Sequence, residues 1–155
     1  MTTTLNLTEN PEDVNWPETH YVFIEKVGSF MNTAPQAWTE VHKSVPAIVE
    51  HNSITGYMSL YKVGPQVYRA GVAVAEPPAN LPDGLQYEKF TGGKYSKFVL
   101  TGSYSQLPQA SGRAFELAQE HKLPLRDGFN IENYVNDPRI TPEDQLLTEI
   151  LFPIA

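Results

Sequence analysis

An internal repeat is the feature that most limits how this chain can fold. Residues 28–37 contain Gly-Ser-Phe followed by Pro-Gln-Ala, and residues 102–110 contain Gly-Ser-Tyr followed by Pro-Gln-Ala at nearly the same spacing. The register extends in both directions, because Tyr21 matches Tyr95 and Tyr61 matches Tyr134 in nearly the same alignment. Two copies predict a pseudo-symmetric pair of halves and not an array. The groove between two such halves is a natural place for a ligand.

Hydrophobic periodicity predicts the order strand-helix-strand-strand in both copies. In the first copy we expect strands at 20–27, 56–62 and 67–75, and a helix that is capped at Asn32-Thr33, begins near Ala34 and ends or kinks at Pro46. In the second copy we expect strands at 94–101, 129–135 and 146–153 and a helix at 107–121, with a further short strand at 85–90 before it. The predicted fold class is α+β, with an antiparallel sheet, helices on one face, a pseudo-twofold axis and a central cleft.

The repeat also sets the expected domain organisation. Residues 1–17 are polar and contain two prolines, so we interpret them as a loosely packed N-terminal arm. Residues 18–155 are predicted to form a single domain with halves at about 18–76 and 85–155, separated by a Pro-rich connector at 76–84.

Charge and composition exclude several classes of function. The net charge is −7 and the basic residues are scattered singly, which argues against direct nucleic-acid binding and favours a cationic partner. No apolar run approaches the roughly 18 residues of a membrane span, and residues 1–17 lack the features of a secretory signal. We therefore expect a cytoplasmic protein without membrane contact. Cysteine is absent and the four histidines lack paired ligand spacing, so we expect no metal site and no cofactor.

Strand alternation nominates aromatic residues for a ligand site. Tyr57, Ser59 and Tyr61 share one face of their strand, and Met58 and Leu60 are assigned to the core on the other face. In the second copy Asn130, Glu132 and Tyr134 share the corresponding face; we interpret Glu132 as solvated. Tyrosines suit a promiscuous pocket because they combine apolar area, a π-face for cations and a hydroxyl group. Trp38, on the first helix, is equally compatible with the core and with the pocket.

Glu149 is the leading candidate for a functional charge. It lies in Leu-Leu-Thr-Glu-Ile-Leu-Phe, where both faces of the predicted strand are mostly apolar. A buried carboxylate there costs desolvation free energy unless a cation or hydrogen-bond donors compensate. The repeat aligns Glu149 roughly with Gly71, so one half would offer a carboxylate where the other offers bare backbone.

Four segments in order, 67–74, 87–95, 133–138 and 147–153, give the chain a family resemblance. The sequence resembles the GyrI-like small-molecule-binding domain, which is also the effector-binding half of some bacterial transcription activators. The resemblance covers most of residues 18–155 and implies a duplicated strand-helix-strand-strand fold with a ligand cleft between the halves. It also implies that Glu149 faces the ligand and favours cationic or polar aromatic molecules. Since the segment 1–17 is too short for a helix-turn-helix domain, we expect a stand-alone member.

Three functions are compatible with these features. The leading hypothesis is a multidrug- or effector-binding module that takes hydrophobic, often cationic aromatic molecules at Glu149, Tyr134, Tyr57, Tyr61 and Trp38, without catalysis. The alternative is a hydrolase that acts on an electrophilic molecule with Glu149 as general base and Tyr134 as a positioning group. The third, which the family name implies, is a protein interaction such as gyrase inhibition.

Overall fold

The chain folds as two copies of strand-helix-strand-strand, as the repeat predicts. The computed structural model describes residues 5–155. Its elements are β1 (Glu12–Trp16), β2 (Thr19–Val27), α1 (Phe30–Val49), β3 (Ile54–Lys62), β4 (Val67–Val74), β5 (Gln86–Phe90), β6 (Gly93–Thr101), α2 (Leu107–Glu120), β7 (Asn130–Tyr134) and β8 (Leu147–Pro153). Short 3-10 turns occupy Tyr104–Gln106 and Glu143–Gln145. The α+β class with antiparallel strands is confirmed. Neither helix in the described part is long and apolar enough to cross a membrane.

The first compact unit, Pro17–Gly93, contains one copy of the repeat. Its strands are ordered β3-β4-β2-β5, and the register places Tyr61 opposite Tyr68 and Arg69 opposite Glu25. Helix α1 covers one face of these strands. Its apolar side packs with the strand residues in a core of Val22, Ala37, Val41, Ile48, Tyr61, Tyr68, Ala70, Val72 and Val74.

The second compact unit combines the N-terminal segment up to Trp16 with Lys94–Ala155. Its strands are ordered β1-β6-β8-β7. Helix α2 lies on one face, and its buried residues Ala110, Ala114, Leu117 and Ala118 pack against Phe98, Leu100, Ile150 and Phe152. These four small or apolar residues recur at helical spacing and so form one face of the helix.

The N-terminal segment is a correction to the sequence interpretation. We expected a loosely packed arm, but β1 is hydrogen-bonded beside β6. The pairing begins before the strand: Thr8 N donates to Val99 O at 3.0 Å, and Thr101 N donates to Asn6 O at 2.9 Å. Leu7 also packs against the core beneath α2. The segment is polar because an edge strand contacts the sheet along one side only.

Helix α1 begins earlier than predicted and does not end at Pro46, whereas the predicted kink at that proline stays a prediction. It begins at Phe30, without a side-chain cap from Ser29, and continues to Val49 with Pro35 and Pro46 inside it. Asn32 and Thr33 are therefore helical residues and not caps. The prolines remove backbone donors, but Ala37, Val41 and Ile48 bury the helix against the strands. Tertiary packing has outweighed a local cost of roughly 3 kcal/mol for each interior proline.

The strand register corrects the alignment of the two copies. Tyr61 lies opposite Tyr68 on β4, and its repeat partner Tyr134 lies opposite Thr148 on β8. Thr148 is therefore the counterpart of Tyr68, and Glu149 is the counterpart of Arg69 and not of Gly71. The longer connection between β7 and β8 hid this shift in the sequence.

Candidate functional site

A buried polar group lies on the α2-facing side of β7. Glu132 is opposite Ile150, which packs beneath α2, so the Glu132 side chain is on the helix side of the sheet. Tyr134 Oη donates to Glu132 Oε1 at 2.8 Å, and Ser111 Oγ, from α2, donates to Glu132 Oε2 at 3.4 Å. Burial raises the pKa of the Glu132 carboxyl, and these two hydrogen bonds only partly oppose the shift.

Two further residues with hydroxyl groups, Tyr104 and Thr148, lie next to Tyr134. The Tyr104 ring meets the Tyr134 ring edge-on at a centroid distance of 5.4 Å, and Thr148 lies directly opposite Tyr134. Within residues 5–155 the Tyr104 and Thr148 hydroxyls are buried without a hydrogen-bond partner. Burial, followed by the nearby Asp137 charge, raises the pKa of Tyr104. We call Glu132, Tyr134, Ser111, Tyr104 and Thr148 the Glu132 cluster.

The Glu132 cluster is suited to bind a cation or to move a proton. No lysine or arginine in the described chain forms an ion pair with Glu132, so its charge is not compensated by the protein. A partly buried carboxylate in this state attracts a positively charged group, because the cation relieves the desolvation cost that raises its pKa. The neighbouring phenol of Tyr134 can donate or accept a hydrogen bond.

Glu149 lies on the opposite face of the sheet from Glu132 and Tyr134. Its neighbours on β8, Thr148 and Ile150, are buried beneath α2, so alternation directs Glu149 away from the helix. Asn133 Nδ2 donates to Glu149 Oε1 at 2.8 Å, and Lys97 Nζ lies 3.3 Å from Glu149 Oε2. Glu149 and Tyr134 therefore leave the sheet on opposite faces, and a role for Glu149 in ligand binding stays a prediction.

The lysine beside Glu149 confirms that this charge is compensated. Burial alone would lower the pKa of Lys97, but Glu149 and Glu12 outweigh that effect and raise it. Lys97 Nζ lies 3.5 Å from Glu12 Oε2 on β1. The carboxylate that we expected to need a cation therefore has one within the protein.

The counterpart of Glu149 carries the opposite charge. Arg69 Nε lies 2.8 Å from Glu25 Oε1, and the same guanidinium also pairs with Glu88. Its Cζ atom lies 4.4 Å from the centroid of the Phe23 ring. In both units this strand position holds a paired charge on the face away from the helix, which favours a structural role for Glu149.

The three aromatic candidates in residues 17–93 lie where α1 contacts the strands: Trp38 on the helix, and Tyr57 and Tyr61 on β3. Trp38 Nε1 donates to Tyr68 Oη at 2.8 Å and lies 3.3 Å from Ser59 Oγ, and the Ser59 and Tyr68 hydroxyls are 2.7 Å apart. Tyr61 is only 6% exposed and packs in the core beneath α1. Our assignment of faces is corrected, because Met58 and Leu60 are buried on the side away from the helix.

Tyr57 and Trp38 are more accessible than Tyr61 and share a contact that the sequence analysis missed. The His42 ring lies 5.6 Å from the Trp38 ring and 6.2 Å from the Tyr57 ring. The spacing of Trp38 and His42, one turn apart on the same helix, was the available signal. Whether Tyr57, Tyr61 and Tyr134 border one cavity stays a prediction.

Glu132 and Ser111 are residues that sequence reasoning undervalued. Glu132 shares the face of Tyr134, as predicted, but it is a partly buried hydrogen-bond acceptor and not a solvated side chain. Ser111 stands where the first copy of the repeat has Trp38, and this correspondence could have identified it. No group of three or more histidine, cysteine, aspartate or glutamate residues in the described chain could hold a metal ion.

Comparison with known proteins identifies similar folds along the whole chain. A family model described as GyrI-like small molecule binding domain matches residues 9–155. The EcmrR C-terminal domain has a TM-score of 0.75 at 14% identity, with 99% of each chain covered. SAV2435 bound to tetraphenylphosphonium has a TM-score of 0.70 at 12% identity, with 94% of each chain covered. A hydrolase from Listeria innocua has a TM-score of 0.59 at 10% identity, covering 95% of this chain and 92% of that one.

These structural similarities concern the fold alone, since sequence identity to all three structures is low. No curated protein sequence matches the chain significantly.

Proposed function

The chain belongs to the GyrI-like small molecule binding domain family, and from this premise we propose that it binds aromatic cations with Glu132 as the counter-charge. The observation that carries the proposal is a partly buried carboxylate, with a raised pKa, that has no cationic partner in residues 5–155. A bound cation supplies the missing partner. The structure of SAV2435 contains tetraphenylphosphonium, an aromatic cation, which supports this ligand class.

Aromatic side chains extend the proposed site beyond the carboxylate. Tyr134 contacts Glu132 and its ring meets the Tyr104 ring, and a cation over an aromatic face gains about 0.5–2 kcal/mol. Trp38 and Tyr57 remain candidates in the other unit because they are only partly buried. Tyr61 and Glu149 are less favoured as ligand residues, since core packing and an ion pair already account for them. The biological role would be effector sensing or sequestration of such molecules.

A titration with tetraphenylphosphonium tests the proposal. Isothermal titration calorimetry should show binding to the wild type and a loss of about 1–3 kcal/mol in Glu132→Gln, which keeps the shape and removes the charge. Glu149→Gln is the matched control and should bind as tightly as the wild type. The proposal is wrong if the wild type does not bind, or if Glu149→Gln loses affinity and Glu132→Gln does not.

A hydrolase is the second candidate, and the Glu132–Tyr134 contact is the observation that favours it. A carboxylate with a raised pKa is a stronger general base than an ordinary carboxylate, and Tyr134 Oη lies 2.8 Å from Glu132 Oε1. The Listeria innocua neighbour is described as a hydrolase. Mass analysis of p-nitrophenyl acetate incubated with the protein should then show enzyme-dependent hydrolysis that Glu132→Gln abolishes. Gyrase inhibition is not proposed, because no observation on the described residues favours it.

A further inference from the structure

We propose that the Glu132 cluster selects cations that carry N–H groups, such as protonated amines, amidines and guanidines, over quaternary ammonium and phosphonium cations. This inference rests on the proposed function and specifies its ligand class. Both kinds of cation satisfy the charge of Glu132, but only N–H donors satisfy the hydrogen-bonding atoms around it.

The acceptor capacity of Glu132 is only partly used. A carboxylate offers about four acceptor positions on its two oxygens. Oε1 accepts from Tyr134 at 2.8 Å, and Oε2 accepts a longer contact from Ser111 at 3.4 Å. One position on each oxygen is left for a ligand donor. A quaternary cation cannot fill these positions because it has no polar hydrogen.

The hydroxyls of Thr148 and Tyr104, two residues next to Tyr134, add a second, independent observation. Thr148 is 0% exposed, and its Oγ1 has no hydrogen-bond partner within residues 5–155. Tyr104 Oη is also buried without a hydrogen-bond partner within residues 5–155, and the Tyr104 ring contacts the Tyr134 ring. An unpaired buried hydroxyl is costly. An N–H cation can donate to such an oxygen, whereas the alkyl or aryl shell of a quaternary cation leaves it unpaired.

In the other copy of the repeat, the residues at the equivalent positions form hydrogen bonds with one another. Ser59 stands at the position of Glu132, and Tyr68 at that of Thr148. These residues and Trp38 satisfy one another at 2.7–3.3 Å. The network in residues 17–93 is therefore complete without a ligand, whereas the Glu132 cluster keeps both a charge and two hydroxyls to be satisfied.

A matched pair of fluorescent ligands tests the selectivity. The probes are 1-pyrenemethylammonium and its N,N,N-trimethyl derivative, which share the aromatic group and the charge at neutral pH. We expect the wild type to bind the N–H probe at least about tenfold more tightly, the gain from one charge-assisted hydrogen bond. Thr148→Val removes the unpaired hydroxyl at nearly constant shape and should reduce this ratio.

Two further variants make the test independent of one substitution. Tyr104→Phe removes the second hydroxyl and should also reduce the ratio, which covers the case in which Thr148→Val does not fold. Ser96→Ala is the control: Ser96 is 0% exposed on β6, and its hydroxyl is also buried without a partner in the described chain, but it lies outside the cluster. It should leave the ratio unchanged.

The outcomes separate this inference from the proposed function. If the wild type binds both probes equally, or prefers the trimethyl probe, the selectivity is wrong while cation binding stands. If it binds neither probe, the proposed function also fails. If the N–H probe is preferred but neither Thr148→Val nor Tyr104→Phe changes the ratio, the assignment of the selectivity to these hydroxyls is wrong.

Discussion

At the scale of single residues, Glu132 and Glu149 have opposite electrostatic surroundings although they lie on neighbouring strands. Glu149 is matched by Lys97 and Asn133, whereas the hydrogen bonds to Glu132 in the described chain come from neutral hydroxyls. Alternation along β7 and β8 explains the difference, since the two side chains leave the sheet on opposite faces. Among residues 5–155, Glu132 is the carboxylate of the two without a protein counter-charge, and it is the one that we propose for the ligand.

This difference predicts opposite effects of two matched substitutions. The raised pKa of Glu132 means that the folded protein holds this proton to higher pH than the unfolded chain does. Stability therefore falls as pH rises through the carboxyl's unfolded pKa towards its folded pKa. Glu132→Gln should remove that decline in urea-unfolding measurements between about pH 4 and pH 8. Glu149→Gln should instead lose roughly 1 kcal/mol at neutral pH, because Lys97 loses a partner. A decline that persists unchanged in Glu132→Gln would contradict the account.

At the scale of elements, helix α1 contains two interior prolines that disfavour a helix, and its packing on the strands stabilises it in spite of them. Pro46 is exposed on the outer side of α1, while Ile48 and Val41 are buried against the strands. Pro46→Ala restores a backbone donor within an existing helix, so the free energy of unfolding should rise by about 1–3 kcal/mol. Urea denaturation measures the change. Exposed Lys43→Ala on the same helix is the control, and a loss of stability in Pro46→Ala would mean that the ring itself packs.

The N-terminal segment supplies a second prediction at this scale. Leu7 is half-buried, pairs with Leu100 and packs on the core beneath α2. Leu7→Ala should therefore cost about 1–2 kcal/mol, less than the full cost of a buried leucine. The neighbouring Asn6→Ala keeps the backbone hydrogen bond and should have little effect. Equal stability of Leu7→Ala and the wild type would restore the idea of a loose arm.

The sequence predicted the strands and helices well because their apolar periods are clear, but it failed where packing decides. Pro46 and the polar residues before Trp16 are local signals, and both were overruled by contacts distant in sequence. The faces of β3 could not be assigned because Met58, Leu60, Ser59 and Tyr61 are all buried, so both sides look like core. The preference for Glu149 over Glu132 did not take Lys97 into account, because the proximity of this lysine depends on strand register. Which of the two carboxylates contacts a ligand stays a prediction.

At the scale of the whole molecule, the two copies have the same order of strands and helix but different side chains at equivalent positions. Gly71 and Leu151 occupy equivalent positions. A Cβ atom at Gly71 would clash with the carbonyl oxygen of Val22. It would also lie only 2.8 Å from the Tyr21 ring. Tyr21 is 0% exposed and donates to Met58 O at 2.9 Å, so it cannot easily move.

Gly71→Ala should therefore destabilise the protein although alanine is the smallest change. Overpacking of this kind costs about 1–3 kcal/mol or more, and urea unfolding measures it. Gly56→Ala is the control on the adjacent strand, because a Cβ at that glycine meets no atom within 4 Å. Similar stability of the two variants would show that the backbone at Val22 and the Tyr21 ring can both shift to admit the methyl group.

The pairing of β1 with β6 has a consequence for synthesis on the ribosome. The unit of residues 17–93 is contiguous, whereas the other unit joins the N-terminal segment to residues 94–155. Strand β1 is translated before residues 17–93, and its partner β6 is translated after them. Until then the nascent chain presents an unpaired strand, which is the kind of edge that pairs with the wrong neighbour.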